Sequence, residues 1–238
     1  MSLVMSNYSD YKAVNLKSLV AKLAILCLIF MLVLFFLAGT SAWLPGWIFL
    51  ILFFVFVIIV FSWLYIHSPG LIQERMAIFR SDQEPSDKVL LALMEVFFLA
   101  WLVLMPLDAV RFRWSQMPAW LQVVGSMILL CSLYLLFLTF RENPYLSVVV
   151  RIQKERGHRV ISTGPYHYVR HPMYSAVIPF VLGTSLLLGS WIGVLLEPIL
   201  VIIVARRAML EERILREGLK GYDIYLTQVK YRLIPYIW

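Results

Sequence analysis

The densest run of chemically capable side chains is Gly164–Tyr174, GPYHYVRHPMY, which stands directly ahead of the apolar stretch SAVIPFVLGTSLLLGSW. Pro165 and Pro172 stiffen this backbone, and Gly164 permits conformations that other residues resist. Arg170, His167 and His171 add hydrogen-bond donors beside a hydrophobic boundary. Such a run can form a shaped polar pocket at a membrane surface, or it can anchor a helix at the headgroup level with Tyr and Arg. Residue types alone leave both open. The pair Glu211–Glu212 is double-edged in the same way. Arg207 and Glu211 have the i,i+4 spacing of an exposed ion pair worth a few tenths of a kcal/mol. Alternatively, one carboxylate faces a pocket made by segment 141–174 and accepts bonds from an ammonium or hydroxyl group. Two further acids, Glu95 and Glu197, lie inside apolar runs, where a carboxylate is costly and points to function. Glu197, followed by Pro198, either lines a tunnel or sits near an interface.

The elements that must position these groups are apolar. The chain has 238 residues, 61% of them hydrophobic, with a mean hydropathy of +0.82, which excludes an ordinary soluble domain and predicts one polytopic membrane unit. Apolar spans are expected at about 19–37, 47–66, 89–106, 119–140, 175–188 and 191–205, given that a spanning helix needs roughly 17–25 residues. The fifth and sixth are short and form a hairpin around Gly189–Ser190. The fold class expected is therefore all-α, a helical bundle of five or six spans. The first span follows 18 residues that include Lys12 and Lys17, with no small-residue cleavage pattern, so it reads as a retained helix and not as a signal peptide.

The formal charge of +7 is a topology signal. Alternate segments between the spans carry 19 of the 21 Lys and Arg and the others carry two, which places both termini and the long polar segments on the cytoplasmic side. Nothing recognisable as a nucleic-acid-binding module is present. Cys27 and Cys131 both lie within apolar blocks, giving no disulfide framework and no metal-ligand spacing. Paired catalytic carboxylates, a nucleophile elbow and a glycine-rich phosphate loop are likewise missing.

Two polar segments remain. Residues 67–88 carry turn and helix-start signals around a short amphipathic piece expected to lie along the interface. Residues 141–174 are broken by Gly157, Gly164 and prolines, and should be irregular and functional if ordered. Beyond the hairpin, the sixth apolar run continues as a helical pattern through Arg206–Leu215, with Gly218 and Gly221 as stops.

Taken together, RIQKERGHRVISTGPYHYVRHPMY, the apolar hairpin, EERIL and GYDIYLTQVKYRLIP resemble the isoprenylcysteine carboxyl methyltransferase family and its bacterial relatives, over Asn143–Trp238. One departure is RILREGLKG between Glu212 and Tyr222, about a residue shorter than the family pattern. The resemblance implies methyl transfer from S-adenosylmethionine in a cytoplasm-facing pocket, to an acceptor that is lipophilic or a small thiol or carboxylate. Gln153, His158 and Val160 then match positions near the adenosine. Gly164, Tyr166, His171 and Tyr174 match the loop that wraps the cofactor, and Glu212 a carboxylate facing it. Arg170 and Glu211 match positions on which activity depends. The implied organisation is a single membrane domain over 1–238, with four N-terminal spans in 1–140 and a methyltransferase core in 141–238. The implied setting is a bacterial or archaeal inner membrane. VKYRLIPYIW is also similar to the end of sterol reductases, which makes an NADPH-dependent membrane reductase the alternative enzyme; a non-catalytic membrane protein is the third class.

Overall fold

A computed structural model describes residues 15–76 and 83–238. Among them the secondary structure is entirely helical: α1 (Leu16–Ala38), α2 (Leu44–His67), α3 (Pro69–Met76), α4 (Pro85–Pro106), α5 (Ala119–Glu142), α6 (Pro172–Leu188), α7 (Trp191–Leu195), α8 (Glu197–Gly218) and α9 (Tyr222–Gln228). Four of these, α1, α2, α4 with its π-helical extension to Arg111, and α5, are long and apolar enough to cross a membrane. Their apolar residues surround the helix instead of forming one stripe, the pattern of a helix bathed in hydrocarbon. Leu28, Leu32 and Phe36 of α1 and Ile51, Val55 and Ile58 of α2 are accordingly exposed. The chain is thus an integral membrane protein. The expected five or six spans take the form of four full-length helices plus a shorter apolar hairpin.

That hairpin differs from expectation in one respect. Residues 191–205 do not form one continuous helix: α7 stops at Leu195, and α8 begins at Glu197 with Pro198 in its first turn. A proline nitrogen cannot donate to the preceding turn, so the chain breaks and restarts there. Segment 141–174 is irregular as expected, apart from two 3₁₀ turns at Lys154–Arg156 and Gly164–His167. Of the anticipated interfacial piece, α3 is seen, whereas 77–82 lie outside the described residues, as does Lys12.

The tightest helix pair is α5 against α6, and glycines explain it. A Cβ on Gly125 would sit 2.5 Å from the Leu187 nitrogen, and one on Gly183 would sit 2.6 Å from the Leu129 nitrogen. Only the missing side chains let the two backbones touch. Around this contact Leu34, Phe49, Trp101, Met105, Val181 and Leu200 close the main core. Polar ties then set the height of the hairpin. At the end away from the charged half of α8, Asp108 Oδ2 accepts from Ser115 Oγ and Ser190 Oγ, each at 2.6 Å, and Ser190 caps α7. Trp101 Nε1 donates to Ser185 Oγ at 2.9 Å, and Ser132 Oγ to the Ala176 carbonyl at 2.7 Å.

Candidate functional site

Segment 143–163 has little regular structure of its own, so its backbone must be held by side chains from elsewhere. Two buried carboxylates do this. Asp87, at the start of α4, accepts from the Val150 backbone N–H, from Gln83 Nε2 and from Arg207 Nε of α8, each at 2.9 Å. Arg207 also donates to the Val148 carbonyl, so one ion pair clamps α4, α8 and the loop together. Asp87 is fully buried and the Arg207 side chain is 4% exposed. Arg207 therefore does not serve the exposed Arg207–Glu211 pair that the spacing allowed. Glu74 of α3 makes the second tie: it receives two hydrogen bonds from Arg151, at 2.9 and 3.0 Å, and one from Ser147 Oγ at 3.1 Å.

Within the loop, Gln153 is fully buried and its amide donates to the Tyr145 carbonyl at 2.7 Å. His158 stacks on Tyr145, with ring centroids 4.5 Å apart, and its Nδ1 accepts the Gln153 backbone N–H. Burial, assisted by the nearby Arg156 and Arg151 charges and opposed by Glu211, pulls the His158 pKa down to about 4. The ring is therefore a neutral acceptor at physiological pH. Gly164 has a φ of +59°, and a Cβ there would stand 2.5 Å from Glu142 Cγ. Glu142 in turn accepts from Thr163 Oγ1 at 3.0 Å. The glycine thus lets the loop turn over the end of α5. Asn143 Nδ2 then donates to the Tyr166 hydroxyl at 2.8 Å, and the Tyr225 hydroxyl of α9 donates to the Tyr166 carbonyl at 2.7 Å.

The result is one cavity between the loop, the start of α6, α8 and α9. His158, Val160, Tyr166, Arg170, His171, Tyr174 and Glu211 all line it. Gln153, Gly164 and Glu212 do not: the first two shape the loop from behind, and Glu212 opens onto a separate groove with Arg213, Arg216 and Arg232. His167 and Tyr168 of the opening motif point outward. Glu95 faces outward from α4, and the Glu197 carboxylate is enclosed without a hydrogen-bond partner; neither lines the cavity.

At the cavity floor a charged cluster joins α6 to α8. His171 lies between two carboxylates, with Nε2 3.3 Å from Glu212 Oε1 and Nδ1 3.6 Å from Glu211 Oε2. The Tyr174 hydroxyl donates to Glu211 Oε2 at 2.9 Å, and Arg232 Nε donates to Glu212 Oε2 at 3.0 Å. Burial alone would lower the His171 pKa and raise those of Glu211 and Glu212. The contacts among them reverse both tendencies: His171 is raised, while both glutamates are held below the usual carboxylate range. Glu211 gains further from the Arg207 charge and the Tyr174 hydroxyl, and Glu212 from Arg232 and Arg170. Arg170 Nε is 2.8 Å from Glu212 Oε1 in an ion pair, yet its N–H is not aligned with that oxygen, so this buried nitrogen makes no hydrogen bond among the described residues.

The cavity therefore offers opposite chemistries on neighbouring walls. Glu211 and the faces of Tyr145, Tyr166, Tyr174 and Tyr222 suit a positively charged or soft group. Arg159 and Arg170 suit an anion, whereas Arg151 and Arg207 are committed to Glu74 and Asp87. Asp87, Glu74, Tyr145, Tyr222 and Arg207 escaped the sequence reading as site or support residues. Tyr222 and Tyr225 carried a signal in the Tyr-x-x-Tyr spacing; Asp87 carried none, since its partner stands 120 residues away.

Residues 120–220 match the phospholipid methyltransferase family model. A protein-S-isoprenylcysteine O-methyltransferase of Schizosaccharomyces pombe is 38% identical over 50 residues, which are 21% of this chain and 21% of the yeast protein. The chain thus matches about a fifth of the length of that curated relative. A solved eukaryotic intramembrane Ras methyltransferase, isoprenylcysteine carboxyl methyltransferase, superposes over 94% of this chain and 88% of its own, with a TM-score of 0.46 and 15% identity. The resemblance drawn from the sequence is borne out by the family match and the yeast relative.

Proposed function

We propose that this chain, whose residues 120–220 match the phospholipid methyltransferase family, is a membrane-embedded methyltransferase that takes its methyl group from S-adenosylmethionine. The observation that carries this reading is the cavity itself, a tyrosine-walled chamber with Glu211 on one side and Arg170 on the other. Those residues fit the cofactor by charge. The tyrosine faces and Glu211 would hold the sulfonium and ammonium groups. Arg159 lies on the loop wall, where a cofactor carboxylate can be met. His158, neutral and stacked, and Val160 supply the flat, partly apolar surface that an adenine ring requires. Bound there, S-adenosylmethionine would supply the methyl group, its carbon–sulfur bond breaking as an acceptor lone pair forms the new bond to that carbon.

The chain's own task is then to exclude water and hold the acceptor in line, which alone can lower a barrier by several kcal/mol. Arg170 is the positioning cation for an acceptor that is anionic when it reacts, a carboxylate or thiolate, because it lines the cavity opposite the Glu211 wall. Glu212 fixes Arg170 and His171 from behind, so it acts on the cofactor side indirectly. In this reading 1–140 provide the bundle and, through Glu74 and Asp87, the supports of the loop, 141–238 provide the methyl-transfer core that lines the cavity, and the distribution of basic residues favours a cytoplasmic face for that core. A lipophilic acceptor would reach it from the bilayer. Calorimetry on purified protein tests the reading. Binding of S-adenosylhomocysteine is expected, and binding of NADPH in its place would transfer the site to the reductase class.

A further inference from the structure

Of the acidic residues on the four long helices, one makes no contact that accounts for it among the described residues. Glu95 lies on the outward face of α4, exposed beside Ala92, Val96 and Leu99, the last two 65% and 63% exposed. It makes no hydrogen bond or ion pair among the described residues. The membrane-crossing helix runs Pro85–Arg111, so Glu95 is about 15 Å from one end and about 24 Å from the other at 1.5 Å per residue. Asp87 at the site end and Asp108 at the far end are both turned inward and accept from several donors. Glu95 lies between those depths, where hydrocarbon offers no donor. Carboxyl groups at such depth ordinarily face a bundle interior or a partner.

We infer that this face of α4 is the interface of a two-fold dimer, in which Glu95 pairs with Glu95 of a second copy. The choice of occupant follows from depth and chemistry. A two-fold axis along the membrane normal brings each residue to the height of its own copy, so the partner is at the correct level by symmetry. A carboxyl group that carries its proton both donates and accepts, so two facing copies satisfy each other without a second residue type. Ala92 and Val96 are small and exposed on the same face, which allows the helices to approach closely. The inference does not depend on the methyltransferase reading.

Disulfide trapping in native membranes tests it. With Cys27 and Cys131 replaced by Ala, Ala92→Cys should cross-link to a covalent dimer on mild oxidation, because a disulfide requires Cα atoms within about 7 Å. Met127→Cys, equally lipid-exposed but on α5, should remain monomeric. Adding Glu95→Leu to Ala92→Cys should slow trapping at least tenfold, whereas Glu95→Gln, whose amide also donates and accepts, should retain it. An unfolding midpoint in detergent matching the parent certifies each variant, and Glu95→Ala replaces Leu if that variant fails the check. A monomeric Ala92→Cys, cross-linking to a different protein, or a rate indifferent to Glu95→Leu would overturn the dimer.

Discussion

At the scale of residues, Arg170 and Glu211 are distinguished by where they stand and what they receive. Arg170 lines the cavity while paired with Glu212, and Glu211 is held by Tyr174 and faced by His171. Arg170→Ala should leave the fold intact and lower kcat by about 10²–10³-fold, the usual loss when one preorganised donor to a developing charge is removed. Steady-state assays would show it, and unaltered turnover would remove the role. Glu212→Gln should weaken binding of S-adenosylhomocysteine, because Arg170, His171 and Arg232 lose their common anchor. An unchanged dissociation constant would limit Glu212 to holding the fold together at that cluster. Four side chains of the opening motif, Tyr166, Arg170, His171 and Tyr174, meet in the one cavity. The motif could not disclose that His167 and Tyr168 turn outward, because alternation in an irregular loop follows contacts and not a period.

At the scale of elements, the loop keeps its shape through Asp87 and the hairpin its close contact with α5 through glycines. Removing one partner of a buried ion pair leaves the other charge uncompensated, so Asp87→Ala should cost about 3–5 kcal/mol. The double variant Asp87→Ala/Arg207→Met should be less destabilised in thermal unfolding than Asp87→Ala alone. Equal midpoints would show that the clamp contributes little. Gly183→Val should destabilise by at least about 1–3 kcal/mol, because its side chain meets the Leu129 backbone and not a movable side-chain tip. Helix existence and the Gly189–Ser190 turn were legible from apolar runs and turn residues. The clamp was not: Gln83 to Asp87 reads as a turn, and nothing local links it to Arg207. The break at Leu196 was half-legible, since Pro198 was visible while the long apolar run argued for continuity.

At the scale of the whole molecule, two histidines make stability depend on pH in opposite directions. The raised pKa of His171 gives stability that is complete below 6.5, its unfolded value, and is lost as pH rises through the folded value. His158, lowered to about 4 from 6.5, takes up its proton more readily when unfolded, so stability falls as pH drops through that interval. Glu211 and Glu212, both lowered, contribute above 4.5 and lose their contribution as pH falls further. Thermal unfolding in detergent should therefore peak near pH 6.5. His171→Gln should flatten the alkaline limb, and His158→Gln the acid limb between 6.5 and about 4; limbs that both persist would contradict the assignments. The membrane class was legible from composition because hydrocarbon burial selects residue types directly. The electrostatics were not, since they arise only when α6, α8 and segment 143–163 converge.

The central claim is that the tyrosine-walled cavity transfers a methyl group with Arg170 beside the acceptor. Native membranes containing the wild-type chain or Arg170→Ala, incubated with S-adenosylmethionine labelled in its methyl group, test it most directly. The wild type should deliver label to a lipid or small-molecule fraction, and Arg170→Ala should deliver about a hundredth of that amount or less. No transfer by the wild type, or equal transfer by the variant, would contradict the account.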